Sequence, residues 1–236
     1  MNQTTFEKEK ERMPLGYRFV IGVDEAGRGP LAGPVVACAV MLKNLESRIL
    51  NLEKEIEEDE KWDLIRDSKT LSEKQREEMF DFIHEYFDVG TGIIAVETID
   101  RVNILEATFL AMKAAIADLK KKMKAEAYKN VIPIRRLADE ESLKNEGRSL
   151  RYGRDDNQKD FSEKEMYLLI DGNMTIPNLS LHQEAVIGGD GTVKSIAAAS
   201  IVAKVTRDRM MDEYETEYPG YGFTKHKGYG TKIHMD

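Results

Sequence analysis

This sequence predicts a mixed α/β domain, one central sheet with helices packed on it. Two observations carry that expectation. Five short runs rich in β-branched and other apolar residues, at 17–23, 34–42, 88–96, 166–170 and 181–187, have the length and composition of buried strands. Between and after them lie segments whose apolar residues recur at helical spacing. The order is two strands, helix, strand, helix, strand, strand, helix, without internal repeat, which suits a single layered unit over 1–236.

The first strand, "YRFVIGV", is separated from the second, "PVVACAVML", by a glycine-rich loop, and Pro34 is tolerated at a strand start. In 45–58, Leu45, Ile49, Leu52 and Ile56 form one apolar stripe with an acidic outer face, which predicts an added helix. Ser72 with Gln75 three residues on is a capping-box signature, and the helix it starts should end near Phe87. From Ile104 to about Lys124, Leu105, Phe109, Met112, Ile116 and Leu119 share one helical face. Beyond it the chain turns dense in charge and poor in apolar residues, with Gly147 and Gly153 breaking any pattern. That predicts an insertion over about 125–164, either a loop or a partly helical excursion. A last helix over 195–217 opens with the small-residue run "SIAAAS", which permits close packing.

Composition narrows the class. Hydrophobic residues make up 41% and charged residues 33%, and no apolar run reaches the roughly 18 residues a bilayer span needs. The N-terminus lacks an apolar signal core. Cys38 is the only cysteine, which excludes intrachain disulfides and multi-cysteine zinc sites, so a cytoplasmic location is expected. In its apolar strand Cys38 reads as core packing. A net charge of −8 does not announce a nucleic-acid binder, yet binding depends on local patches rather than totals. Segment 44–61 holds seven acidic and three basic residues, whereas 223–233 has Lys225, Lys227 and Lys232 and no acid.

Four carboxylates stand at predicted strand ends. Asp24 and Glu25 close the first strand, Asp171 closes "YLLI", and Asp190 follows Gly188 and Gly189 after the fifth. Only the fold can bring them together, and such a cluster repels unless a cation neutralises it. Oxygen ligands alone suit Mg²⁺ or Mn²⁺, and two such ions about 3.5–4 Å apart can clamp a phosphodiester. Singly, Asp171 and Asp190 also fit ordinary turn aspartates. "DEAGRG" resists that reading, because it joins a strand, adjacent acids and a glycine turn. His226 and His234 are poor ligands for hard cations, and His226 is expected on the substrate face. Asp208, one turn after Lys204, can point toward the site or toward Arg207 and Arg209, and is expected to support the site from behind.

The motifs "GVDEAGRGPLAGPVV", "DSK" at 67–69, "IDG" at 170–172, "GGD" at 188–190, "AAASIVAKVTRDR" and "HKGYGT" occur in the order found in bacterial ribonucleases HII. The chain resembles that family from residue 20 to residue 231. The resemblance implies a ribonuclease H-like fold and a metal-dependent endonuclease. Such an enzyme hydrolyses the RNA strand of RNA/DNA hybrids and cuts 5′ of ribonucleotides embedded in duplex DNA, leaving 5′-phosphate and 3′-hydroxyl ends. By position, Asp24, Glu25, Asp171 and Asp190 look like its catalytic ligands to two Mg²⁺ or Mn²⁺ ions. Gly27, Arg28 and Gly29 look like the turn whose backbone reads the ribose 2′-hydroxyl. Tyr229 looks like the tyrosine that stacks on the sugar, and Lys69, Lys194, Lys225 and Lys227 fall where phosphate contacts are plausible.

Departures from the family pattern are also legible. Insertions at about 44–64 and 125–164 lengthen the chain, and they could dock a protein partner or simply occupy solvent. The sequence stops at "TKIHMD", where the family usually continues through a further helix, so weak support for the Tyr229 loop is expected. The enzyme is expected to be a monomer. Two rival readings are a hybrid-binding relative without activity and a Mg²⁺-dependent phosphodiesterase with another substrate. A pure binder, however, gains nothing from acids clustered near phosphate.

Overall fold

Five strands in the order β3-β2-β1-β4-β5 form the central sheet of the computed structural model, which describes residues 3–43, 56, 59–131 and 162–235. The strands are β1 (Phe19–Ala26), β2 (Val35–Leu42), β3 (Phe87–Ile94), β4 (Met166–Asp171) and β5 (His182–Val186). β2 runs antiparallel to both β1 and β3, whereas β1, β4 and β5 are mutually parallel. The register pairs Phe19 with Met166 and Val23 with Ile170, so β1 and β4 start level. The helices are α1 (Glu7–Arg12), α2 (Lys61–Leu64), α3 (Glu73–Tyr86), α4 (Val96–Val102), α5 (Ile104–Val131), α6 (Lys194–Glu217), α7 (Phe223–His226) and α8 (Lys232–Met235). The expected mixed α/β class is what the structure has.

Alternation along β1 and β2 splits the core into two layers. Val20, Cys38 and Val40 face α3 and α6, where Met79, Ile83, Ile196 and Ile201 meet them. Ile21, Val23, Ala37 and Ala39 face Phe109, Met112, Ile116 and Leu119 of α5. Cys38 is fully buried, and burial pushes its thiol up to about 12, as a packing residue should behave. Glycines set how closely the layers meet. A Cβ on Gly90 would lie 2.2 Å from the Ala115 carbonyl oxygen, and one on Gly92 would lie 2.1 Å from that of Ala111. Gly22 admits α6 in the same way, with Ser195 backbone at 2.2 Å from its would-be Cβ. At the β3 edge, Thr91 N–H donates to Asp118 Oδ2 (3.0 Å) and Lys122 Nζ donates to the Val89 carbonyl (2.9 Å). Helix α5 thereby occupies backbone groups that an open edge would offer to another strand.

Several boundaries differ from expectation. β1 continues to Ala26 because Glu25 and Ala26 still pair with Ala37 and Val36. The capping box at Ser72 and Gln75 is present. Helix α5 runs on to Val131, so the start of the predicted 125–164 insertion is continued helix. Two short helices, α1 and α2, lack the apolar repeat that would have predicted them. α1 is charged throughout, and its docking comes from Glu9, whose Oε1 accepts from Ser195 N–H at 2.9 Å. Of the 44–64 insertion, the end belongs to the core: Trp62 is buried against Phe6, Phe82 and Phe87. The rest of the helix predicted over 45–58, Ile56 apart, and residues 132–161 lie outside the described residues. Among the described residues, no helix is long and apolar enough to cross a membrane.

Candidate active site

The parallel strands β1, β4 and β5 end on one side of the sheet, the usual place for ligand sites in α/β sheets. Asp24 lies in the last part of β1, on the face turned to α6, and is buried. Asp171 is the last residue of β4, level with Val186 at the end of β5. After β5 the chain turns through Gly188, in the left-handed region (φ 65°), and delivers Asp190. Asp190 N–H reaches Asp171 Oδ1 at 3.3 Å. One carboxylate oxygen from each of Asp24, Asp171 and Asp190 lies within 4.8 Å of the others.

The electrostatics of the cluster are those of like charges held together. Burial, then Glu25 and Asp171, raise the Asp24 carboxyl well above its usual range. Against this, Asp24 Oδ1 accepts from Glu25 N–H at 2.7 Å, and a bond from the Ser200 hydroxyl favours the ionised form. Ser200 in turn meets Ser68 Oγ at 2.9 Å, which ties the "DSK" turn to the back of the site. Burial also raises Asp190, with Asp171 and Asp67 adding to it. Three oxygen donors, one of them deep and reluctant to ionise alone, fit a hard divalent cation.

Glu25 is close to these groups but stands outside the three-residue cluster. Its carboxyl is raised by burial and held by Arg28 Nη1 at 3.1 Å. The Arg28 side chain is 46% exposed, open to a ligand. Lys69 is still more open and places Nζ 3.4 Å from Asp190 Oδ2. Gly27 and Gly29 differ in kind. Gly27 (φ +112°) is required by the protein itself, since a Cβ would meet the Pro34 carbonyl at 2.4 Å and Arg207 Nε at 2.8 Å. At Gly29 a Cβ would meet only the Tyr229 ring, at 3.6 Å. Tyr229 is half-exposed across that gap, with Lys204 Nζ 5.5 Å from its ring centroid.

Three expectations need correction, and a fourth residue, Asp208, finds its partners. Lys194 is not a surface phosphate contact: it is buried, its Nζ donates to the Trp62 carbonyl at 2.7 Å, and burial lowers it to about 8. Lys227 turns inward, pairing with Asp212, while Lys225 stays exposed. His226 is buried away from any substrate face. Its Nδ1 accepts from Gly228 N–H (3.1 Å), which leaves Nε2–H to donate to the Tyr221 carbonyl (2.8 Å). Asp208 faces neither Arg207 nor Arg209; Lys204 Nζ sits 2.6 Å from its Oδ1, and Arg76 is 4.0 Å away.

The Tyr229 loop is also better supported than expected. Helix α6 supplies Glu215, which accepts from Gly220 N–H and Phe223 N–H, and Asp212, which holds Lys227. Arg207, which sequence reasoning passed over, is fully buried and binds three carbonyls. Its one signal was glycines elsewhere in the chain, three of which, Gly27, Gly33 and Gly228, adopt positive φ near its guanidinium.

Comparison with known proteins places the chain in a family. The ribonuclease HII family model matches residues 21–152 and 155–236. The ribonuclease HII of Fusobacterium nucleatum is 46% identical over 222 residues, which is 94% of this chain and 80% of that one. That of Bacillus subtilis is 40% identical over 237 residues, covering 100% of this chain and 69% of the relative. Among solved structures, ribonuclease H2 of Pyrococcus horikoshii superposes with a TM-score of 0.52 at 23% identity, over 92% of this chain and 83% of that one. Ribonuclease HII of Archaeoglobus fulgidus, solved in complex with PCNA, gives a TM-score of 0.51 at 22% identity, over 92% and 84%. The two structures speak for a shared fold, and the sequence matches go further: the chain belongs to the ribonuclease HII family and is a ribonuclease H.

Proposed function

We propose that the enzyme hydrolyses the RNA strand of RNA/DNA hybrids and cuts on the 5′ side of ribonucleotides embedded in duplex DNA, leaving 5′-phosphate and 3′-hydroxyl ends. The observation that carries this reading is the convergence of Asp24, Asp171 and Asp190, with Gly29 facing Tyr229 in the loop that follows β1. The three aspartates would hold Mg²⁺ or Mn²⁺, two ions in the active complex, with Glu25 as a further ligand. Bound there, the ions supply charge neutralisation at the scissile phosphate and lower the pKa of water. Arg28 and Lys69 are exposed beside the acids, where a phosphate would draw them from Glu25 and Asp190.

Ribose recognition at Gly29 is what membership of the family implies. Its backbone angle is not in the left-handed region, and an added Cβ would clash with nothing in the protein. A ligand can therefore approach the bare backbone there, and the 2′-hydroxyl is the group that separates ribose from deoxyribose. Tyr229 closes the other side of the gap, where a sugar can stack. The molecule works as a cytoplasmic monomer in this reading. The test is a DNA duplex with one internal ribonucleotide, incubated with Mg²⁺ or Mn²⁺ alongside an all-DNA duplex. A single nick 5′ of the ribonucleotide is expected, and equal cutting of both duplexes would sink the reading. Binding without product at any metal concentration would favour an inactive binder.

A further inference from the structure

Arg207 takes no part in the carboxylate cluster, yet it is among the largest fully buried side chains of the protein. Its planar guanidinium donates from Nε to the Pro34 carbonyl (3.0 Å), from Nη2 to that of Ala32 (2.9 Å) and from Nη1 to that of Lys227 (2.8 Å). The first two carbonyls belong to the loop that carries Gly27–Gly29. The third belongs to the loop that carries Tyr229. A rigid fork with fixed donor directions therefore sets the spacing between two loops that approach from opposite ends of the chain. The same junction carries Leu31 N–H to the Gly228 carbonyl at 2.8 Å. Glycines around it make room: added Cβ atoms on Gly27 and Gly33 would fall 2.8 Å from Nε and 3.1 Å from Nη2.

We propose that Arg207 is a positioning residue that fixes the width of the Gly29–Tyr229 gap and thereby the selectivity for a ribonucleotide. It does so without touching substrate or metal ligands. The proposal rests on the ribonucleotide reading given above. A lysine at 207 keeps the charge but replaces the planar fork by one flexible ammonium, so the two loops lose their common spacer.

The test is a double-mutant cycle of Arg207→Lys and Tyr229→Ala, read as kcat/KM on the single-ribonucleotide duplex. Thermal melts with and without Mg²⁺ accompany it. Arg207→Lys alone should lower kcat/KM at least tenfold while the Mg²⁺ concentration for half-maximal thermal shift stays within twofold. In the Tyr229→Ala background the same change should cost less than threefold, because the wall it positions is gone. Full tenfold loss in both backgrounds, or a shifted Mg²⁺ midpoint, overturns the proposal. Gly33→Ala, whose Cβ would lie 2.4 Å from Met211 Sδ and 3.1 Å from Arg207 Nη2 at a positive φ, displaces the loop with Arg207 intact, and the same pattern is expected of it if Arg207→Lys does not fold. Failure of both to give a cooperative melt makes Arg207 a stability residue only and also overturns the proposal. A wild-type enzyme indifferent to ribonucleotides would instead refute the functional reading.

Discussion

Asp171→Asn should separate stability from chemistry. Asp171 shares its cluster with Asp24 and Asp190, all with an oxygen within 4.8 Å of the others. Two unit charges at that separation repel by about 3–4 kcal/mol at an effective dielectric constant of about 20. Part of this is already relieved, because Asp24 holds its proton to higher pH than an ordinary aspartate. Removing the Asp171 charge should therefore stabilise the metal-free protein by about 1–2 kcal/mol, or roughly 2–8 °C for a chain of this size. Asparagine keeps an oxygen for Asp190 N–H, so the backbone contact survives. The folded wild type binds more protons than the unfolded chain between the ordinary aspartate range and the raised Asp24 value. Its metal-free stability must fall as pH rises through that window. The variant should fall less. Mg²⁺ at a hundred times its Kd stabilises the wild type by about 2.7 kcal/mol, and that gain should largely vanish in the variant along with cleavage. The assay is thermal melting from pH 4 to 8 at constant ionic strength, with and without Mg²⁺. A variant less stable than wild type without metal, or one that keeps the full Mg²⁺ shift, refutes the reasoning.

Gly29→Ala should leave the melting temperature within about 1 °C, since its Cβ finds ordinary contact distance, yet cut activity on the embedded ribonucleotide tenfold or more. Unchanged kinetics would remove the argument for a ligand at that backbone. Gly90→Ala has the opposite signature: its Cβ would sit 2.2 Å from a helix carbonyl, so a loss of about 2–4 kcal/mol is expected by denaturant titration. Lys194→Met should not alter the salt dependence of hybrid binding, because Nζ is bonded to Trp62 inside the protein. Its folded value of about 8 lies below the ordinary 10.5, so wild-type stability should rise with pH between those values. The variant should lack that rise, and a reduced salt slope would return Lys194 to the substrate face.

What the sequence disclosed was local. The apolar run in "YRFVIGV" placed Asp24 at a strand end, and the strand before Asp171 was as plain, because an apolar run is written in neighbouring residues. The charged residues were harder. Lys194 precedes an apolar run and reads as the open start of a helix, but its burial depends on Trp62, 132 positions away. Arg207 sits in "VTRDR", which reads as a solvated helix face. Two of its partners lie 173 and 175 residues distant and all three are backbone carbonyls, which carry no residue-specific signal. His226 misled for the same reason, since its acceptor and donor are backbone groups of its own loop.

The level register of β1 and β4 has a consequence for how this family member tolerates growth. The 132–161 segment rejoins the described chain just ahead of Met166, beside Phe19, at the end of the sheet away from Asp171. Five Cα pairs along β1 fix where β4 runs, so the position of Asp171 is set by the sheet and not by the length of chain that leads into it. Lengthening such a connection costs only about 0.6 kcal/mol per doubling. Evolution can rewrite that end of the molecule cheaply, while five residues further along Asp171 is held level with Val186 by the sheet.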